Sequence, residues 1–146
     1  MIEVRKLSNE EWSKMAENAH LICFDEKRPS EMDRISYALL NVDGEKVLNY
    51  CTVRELDSES VYWQFGGAFP NSKGTVHSAR SYARNIKWTF DQGYKRITTY
   101  VKNTNTNMFR IQLKCGFLPI GMRTVQGDIY IELLLEAPSG QQRIEQ

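Results

Sequence analysis

Residues 103–117 read Asn-Thr-Asn-Thr-Asn-Met-Phe-Arg-Ile-Gln-Leu-Lys-Cys-Gly-Phe, and this stretch decides how the chain is put together. An apolar run from Ile97 to Val101 precedes it and reads as a strand. The asparagines and threonines that follow carry side chains that cap helix N-termini. Met108, Ile111 and Cys115 then recur at the i, i+3, i+7 spacing of one buried helical face. Gly116 supplies the left-handed residue that stops a helix, and Phe117 and Leu118 begin the next apolar stretch. A short capped helix is thus expected between two strands.

The same reading extends outward in both directions. Ile2 to Leu7 alternates apolar and polar residues and predicts a first strand. Ser8 with Glu11 three residues later is a capping box, predicting a helix from Asn9 to about Ile22. Asp25 to Asp33, charged and containing Pro29, reads as loop plus a short helix. Two strands, Ile35–Val42 and Lys46–Glu55, flank the hairpin signal Asp43-Gly44. A turn at Asp57-Ser58-Glu59 leads to a third, Val61–Phe69. From Gly74 to Gln92, Val76, Ala79, Ala83, Ile86 and Phe90 keep one apolar helical face, and Gly93 ends it. After the strand Arg96–Val101 and the short helix, a hairpin pairs Leu118–Val125 with Asp128–Glu136 through Gln126-Gly127. Residues 1–136 form one expected domain, and 137–146 an expected disordered tail.

Composition narrows the function classes. At 146 residues with 41% hydrophobic and 25% charged side chains, the chain can bury a globular core. A net charge of +1 provides no global field for nucleic acid or anionic lipid, and no nucleic-acid motif is present. Cys23, Cys51 and Cys115 sit at unrelated spacings, which argues against a structural metal site and suits reduced, buried thiols. With no signal-like or membrane-spanning run, a cytoplasmic protein without a membrane partner is expected.

Asn105, followed twelve positions later by the Phe of Gly116-Phe117 entering a strand, resembles the C-terminal signature of the GNAT N-acetyltransferase superfamily. The order of elements from residue 2 to 136 resembles the complete GNAT order. The resemblance implies a single α/β domain with a mixed, mostly antiparallel sheet of about seven strands and flanking helices. It further implies acetyl-coenzyme A as cosubstrate, no metal, and a small-molecule or peptide amine as acceptor, with a homodimer as one possible assembly. The strands before residues 70 and 103 should run parallel and splay apart around the cofactor's pantetheine arm. Gly66-Gly67 inside a strand calls for a bulge or a close backbone approach, and the family places a bulge there. Gly67, Ala68 and Phe69 would face the pantetheine, as would Asn105, which matches the family asparagine.

A GNAT domain binds the pyrophosphate with backbone amides at the start of its central helix, where orphan N–H groups and the helix dipole favour an anion. Here the loop is Pro70-Asn71-Ser72-Lys73-Gly74-Thr75-Val76-His77-Ser78. In one register Lys73 takes the family's Arg position, and Val76 and Ser78 take its glycine positions. In the other, Asn71 and Gly74 take the first two places and Val76 the last. Either way Lys73, Gly74, Thr75, Val76, His77 and Ser78 are the expected phosphate contacts, and a valine replaces a glycine. Lys73, His77, Arg80, Arg84 and Lys87 also recur as a basic stripe, whose ordinary meaning is a solvated face.

Acetyl transfer to an amine needs a base for the ammonium and an acid for the thiolate. The family often uses a glutamate on the fourth strand and a tyrosine five residues before the Phe of Gly-Phe. Those positions resemble Gln64 and Gln112 here, and neither amide titrates. Transfer could then rest on proximity, or on another group: Tyr62 and Tyr100 first, with Tyr50, Cys51 and His77 behind them. The resemblance therefore implies an N-acetyltransferase with an atypical site. The alternative is a catalytically silent GNAT fold with a structural or protein-binding role, as in small eroded domains of tailed phages.

Overall fold

The computed structural model describes residues 1–24, 34–70 and 74–138. The short helix expected within 25–33, the loop residues Asn71 to Lys73, and the tail from residue 139 onward lie outside them. The chain runs β1 (Ile2–Ser8), α1 (Asn9–Ser13), α2 (Ala16–Phe24), β2 (Tyr37–Asp43), β3 (Lys46–Glu55) and β4 (Ser60–Ala68). It continues through α3 (Thr75–Asp91), β5 (Arg96–Lys102), α4 (Thr106–Lys114), β6 (Leu118–Val125) and β7 (Asp128–Glu136). The seven strands form one sheet in the order β1-β2-β3-β4-β5-β7-β6. Only β4 and β5 are parallel; every other pair is antiparallel.

The first helix is two helices. The capping box is present, with Ser8 Oγ accepting from the Glu11 N–H and Glu11 from the Ser8 N–H. After Ser13, however, the Met15 N–H reaches the Trp12 carbonyl in a tighter turn, and α2 restarts at Ala16. Ala16, Ala19, His20 and Cys23 of α2 and Trp12 of α1 pack against Ala38, Leu40, Val42 and Tyr50 on one sheet face. The other face holds the larger cluster: Tyr37, Leu39, Val53, Val61, Trp63, Ile97, Val101, Phe117 and Leu133. Tyr82, Ile86, Trp88 and Met108 close it from the α3 and α4 side.

The expected apolar face of α3 is corrected by its packing. Val76 is 61% exposed and Ala83 is exposed, whereas Ser81, Asn85 and Thr89 are buried. The three are spaced i, i+4, i+8; Ser81 and Asn85 meet Asn49 and Asn41 of the sheet, and Thr89 Oγ1 donates back to the Asn85 carbonyl at 2.7 Å. Asn41 Nδ2 donates to Asn49 Oδ1 and Asn85 Oδ1, each at 3.0 Å. Asn49 Nδ2 donates to Ser81 Oγ, and Arg84 Nε donates to Asn41 Oδ1 at 2.8 Å. Buried polar side chains face each other because each supplies what the next would lose on leaving water.

Ala137 also departs from the tail expectation, since its N–H donates to the Lys95 carbonyl at 2.8 Å and extends the last strand's anchorage.

Candidate functional site

The site begins where two parallel strands part. β4 and β5 are in register from Ser60 opposite Arg96 to Trp63 opposite Thr99, yet β4 runs on to Ala68 and β5 to Lys102. Thr99 Oγ1 closes the apex by donating to the Trp63 carbonyl at 3.1 Å. The expected splay is therefore present. Behind the apex, Trp63, Tyr82 and Phe117 form a ring cluster with centroid separations of 5.2 to 6.0 Å.

Gln112 belongs to this packing. It is 1% exposed and its Nε2 donates to Tyr82 Oη at 3.0 Å, while its Oε1 has no partner among the described residues. Burial, above all, pushes the Tyr82 hydroxyl far above its ordinary pKa, so it stays a neutral donor. The Gln112 amide thus holds a phenol from α3 beside the Thr99 hydroxyl. Sequence reasoning missed Tyr82 because its spacing reads as ordinary helix packing.

Two adjoining cavities lie between α3 and α4. One, of about 210 Å³, is lined by Gly74, Ser78, Asn105, Asn107, Met108 and Ile111. The other, of about 550 Å³, shares Asn107 and Ile111 and adds Val76, Ala79, Arg80, Arg110, Lys114 and Cys115. Gly74 is the N-cap of α3 with φ 128°, a backbone conformation open to glycine, and no side chain caps the first turn. The amides of Thr75, Val76 and His77 therefore keep the donor capacity of a helix start. Val76 lines the larger cavity rather than the one at Gly74, so the valine leaves the glycine's approach open. His77 is exposed, and Lys73 lies outside the described residues.

Asn105 caps α4, with Oδ1 accepting from the Met108 N–H at 3.2 Å, and it also lines the smaller cavity. The basic stripe divides among separate tasks. Arg84 anchors the asparagine network, Lys87 pairs with Asp91 at 2.7 Å, and Arg80 lines the larger cavity. Arg110 and Lys114 join Arg80 there from α4, at a spacing that sequence reading passed over.

The β4 residues carry a second correction. The bulge falls at Gln64, between the pairs Thr52–Phe65 and Val53–Trp63, and both glycines stay in register with Cys51 and Tyr50. A Cβ on Gly67 would lie 2.7 Å from Tyr50 Cε1, 2.9 Å from Phe24 Cε2 and 3.0 Å from Cys23 Cβ. Its glycine thus serves the close approach of α2, one of the two roles the sequence allowed. Ala68 pairs with Asn49. Phe69 packs on the Trp12 cluster and gives its N–H to the Leu48 carbonyl, so that amide is already committed.

Tyr62 and Tyr100 meet edge to face on the opposite side of the sheet from Tyr82, with centroids 5.7 Å apart. Burial raises the pKa of each, and the Glu132 carboxylate adds to the rise at both. Among the remaining candidates, Tyr50 stacks on Trp12 at 4.7 Å and lies 3.4 Å from His20 Nδ1. Burial pushes the Cys51 thiol up to about 12, which makes it inert at neutral pH. None of the three cysteines forms a disulfide. No helix among the described residues is long and apolar enough to cross a membrane.

No protein-family model matches the chain, and no curated protein matches it in sequence. Solved structures do match in fold. A GNAT family acetyltransferase from Elizabethkingia anophelis, with acetyl-CoA bound, superposes with TM-score 0.75 at 13% identity, over 93% of this chain and 98% of its own. The ribosomal-protein-S18-alanine N-acetyltransferase of Escherichia coli gives 0.74 at 12%, over 95% and 97%. A spermidine/spermine N-acetyltransferase from Vibrio cholerae gives 0.73 at 14%, over 97% and 96%. The chain therefore has the GNAT fold, end to end.

Proposed function

We propose that this protein is an acetyl-CoA-dependent N-acetyltransferase acting on an amine. The observation that carries the reading is the pair of adjoining cavities between α3 and α4, running from the uncapped first turn of α3 to Arg80, Arg110 and Lys114. A ligand with a pyrophosphate, a further phosphate and a flat apolar base fits that sequence of donors, apolar walls and guanidinium groups. The amides of Gly74, Thr75, Val76 and His77 would hold the pyrophosphate, with Ser78, whose N–H is taken by the Gly74 carbonyl, lining the cavity beside it. Arg80, Arg110 and Lys114 would hold the outer phosphate, while Asn105 and the open β4 edge at Gly67 and Ala68 would line the arm.

When bound, acetyl-CoA supplies an acetyl group activated as a thioester. The chain's own part is to hold that group at the fork, exclude water with the Trp63–Tyr82–Phe117 cluster, and offer a neutral phenol from Tyr82 to a leaving thiolate. Gln64 and Gln112 cannot supply or take a proton. The competing reading, a silent domain that binds a protein partner, draws on those two amides.

Calorimetric titration with acetyl-CoA tests the proposal. Saturable heat is expected, weakened at least tenfold in an Arg110→Glu, Lys114→Glu double variant. Absence of heat at millimolar ligand would overturn it. Binding without thiol release across amines, polyamines and peptides would leave the silent domain as the answer.

A further inference from the structure

The open sheet face at the fork apex carries a mixed-charge constellation. Tyr62 on β4 and Tyr100 on β5 flank the last in-register pair, Trp63–Thr99, one before it and one just past it. Glu132 on β7 lies in register with Tyr100, and its carboxylate acts on both tyrosine hydroxyls. On its other side Glu132 pairs with Gly121 at the β6 bulge, where even a Cβ would lie 3.5 Å from Glu132 Oε1. The bulge and the glycine leave the carboxylate room beside Tyr100.

Two guanidinium groups flank the same rings. Arg123 of β6 lies 4.4 Å from the Tyr100 centroid, and Arg54 of β3 lies 5.7 Å from that of Tyr62. Neither forms an ion pair among the described residues. Glu132 is likewise without an ion-pair partner there. The face therefore offers one carboxylate, two cations without an ion pair among the described residues, and two aromatic rings. An ammonium arriving at Glu132 meets positive charge on both flanks, which disfavours a polyamine. An acid group attached to that amine would turn the same flanks into attraction.

We propose that Tyr62, Tyr100 and Glu132, with Arg54 and Arg123, form the acceptor subsite, and that it takes an amine bearing an acid group, as an α-amino acid does. Glu132 receives the ammonium, Arg123 receives the carboxylate, and the two rings hold the stem between them. The place of this subsite in a reaction rests on the transferase reading above, but its occupancy does not require acetyl-CoA.

The test uses the full chain with ring-labelled tyrosine, whose Tyr62 and Tyr100 signals are assigned from the Tyr62→Phe and Tyr100→Phe variants. Three matched probes are titrated without cofactor: L-leucine, isopentylamine, which lacks the carboxylate, and 4-methylpentanoate, which lacks the amine. Both ring signals should move with L-leucine, at an affinity at least tenfold above either fragment. Arg123→Gln should bring L-leucine down to the amine's affinity, and Glu132→Gln should bring it down to the acid's. Isopentylamine binding as tightly as L-leucine would overturn the inference in favour of a plain cation site. So would an Arg123→Gln or Glu132→Gln variant that binds L-leucine as the wild type does, or ring signals that no probe moves. Because no titration contains acetyl-CoA, a failure here is distinct from a failure of the cofactor reading.

Discussion

Replacing Asn41 by alanine should damage the fold more than any other single polar deletion among the described residues. Asn41 is fully buried, donates to Asn49 and Asn85, and accepts from Arg84. Truncation orphans two buried carbonyl oxygens at about 1–3 kcal/mol each. The Arg84 guanidinium is only partly buried and can turn to water, so it adds little. A water entering the vacated space recovers part of the loss, which places the expected cost at ~3–4 kcal/mol. For a chain of this size that lowers Tm by roughly 10 °C. Urea unfolding followed by far-UV circular dichroism should show a lower midpoint at an unchanged slope. An Asn41→Ala, Asn85→Ala double variant should cost at least ~1 kcal/mol less than the two singles together, because the Asn85 carbonyl is lost twice in the sum. A single variant melting within 2 °C of wild type, or strict additivity, would refute the network's role in seating α3.

Three shorter expectations follow from the same geometry. Tyr82→Phe should lower the rate of thiol release about 100-fold, with L-leucine as acceptor, while calorimetric acetyl-CoA affinity stays unchanged; an unchanged rate would remove the phenol from the reaction. Gly67→Ala places its Cβ 2.7 Å from the buried Tyr50 ring without any backbone strain, so differential scanning calorimetry should report a loss of ~1–3 kcal/mol, reduced when Phe24→Ala is added. In iodoacetamide labelling at pH 8, half-buried Cys115 should react first and Cys51, held at about 12 by burial, last; equal rates would contradict the burial of Cys51.

What the chain disclosed in advance follows from how local each signal is. The Asn105 cap, the Gly116 stop, the Ser8–Glu11 box and the Asp43-Gly44 hairpin are settled within five residues, and all stand as read. The features that local patterns do not reveal have the opposite property. Asn85 looks like an interruption of an apolar helix face until Asn41, 44 residues earlier, supplies its donor. Gln112, read as standing where the family has its acid, donates to Tyr82, 30 residues earlier, and no local pattern announces that contact. Glu132 pairs with Tyr100 of β5, 32 residues earlier, and shares a face with it. Each of these polar groups has a meaning fixed by a contact across the sheet, and periodicity contains no information about which face meets which. The frame of this fold is written in caps and turns. Its buried polar contacts are made between strands and helices far apart in sequence, so Gln112 is better judged by the Tyr82 hydroxyl it touches than by the residue type expected at its position.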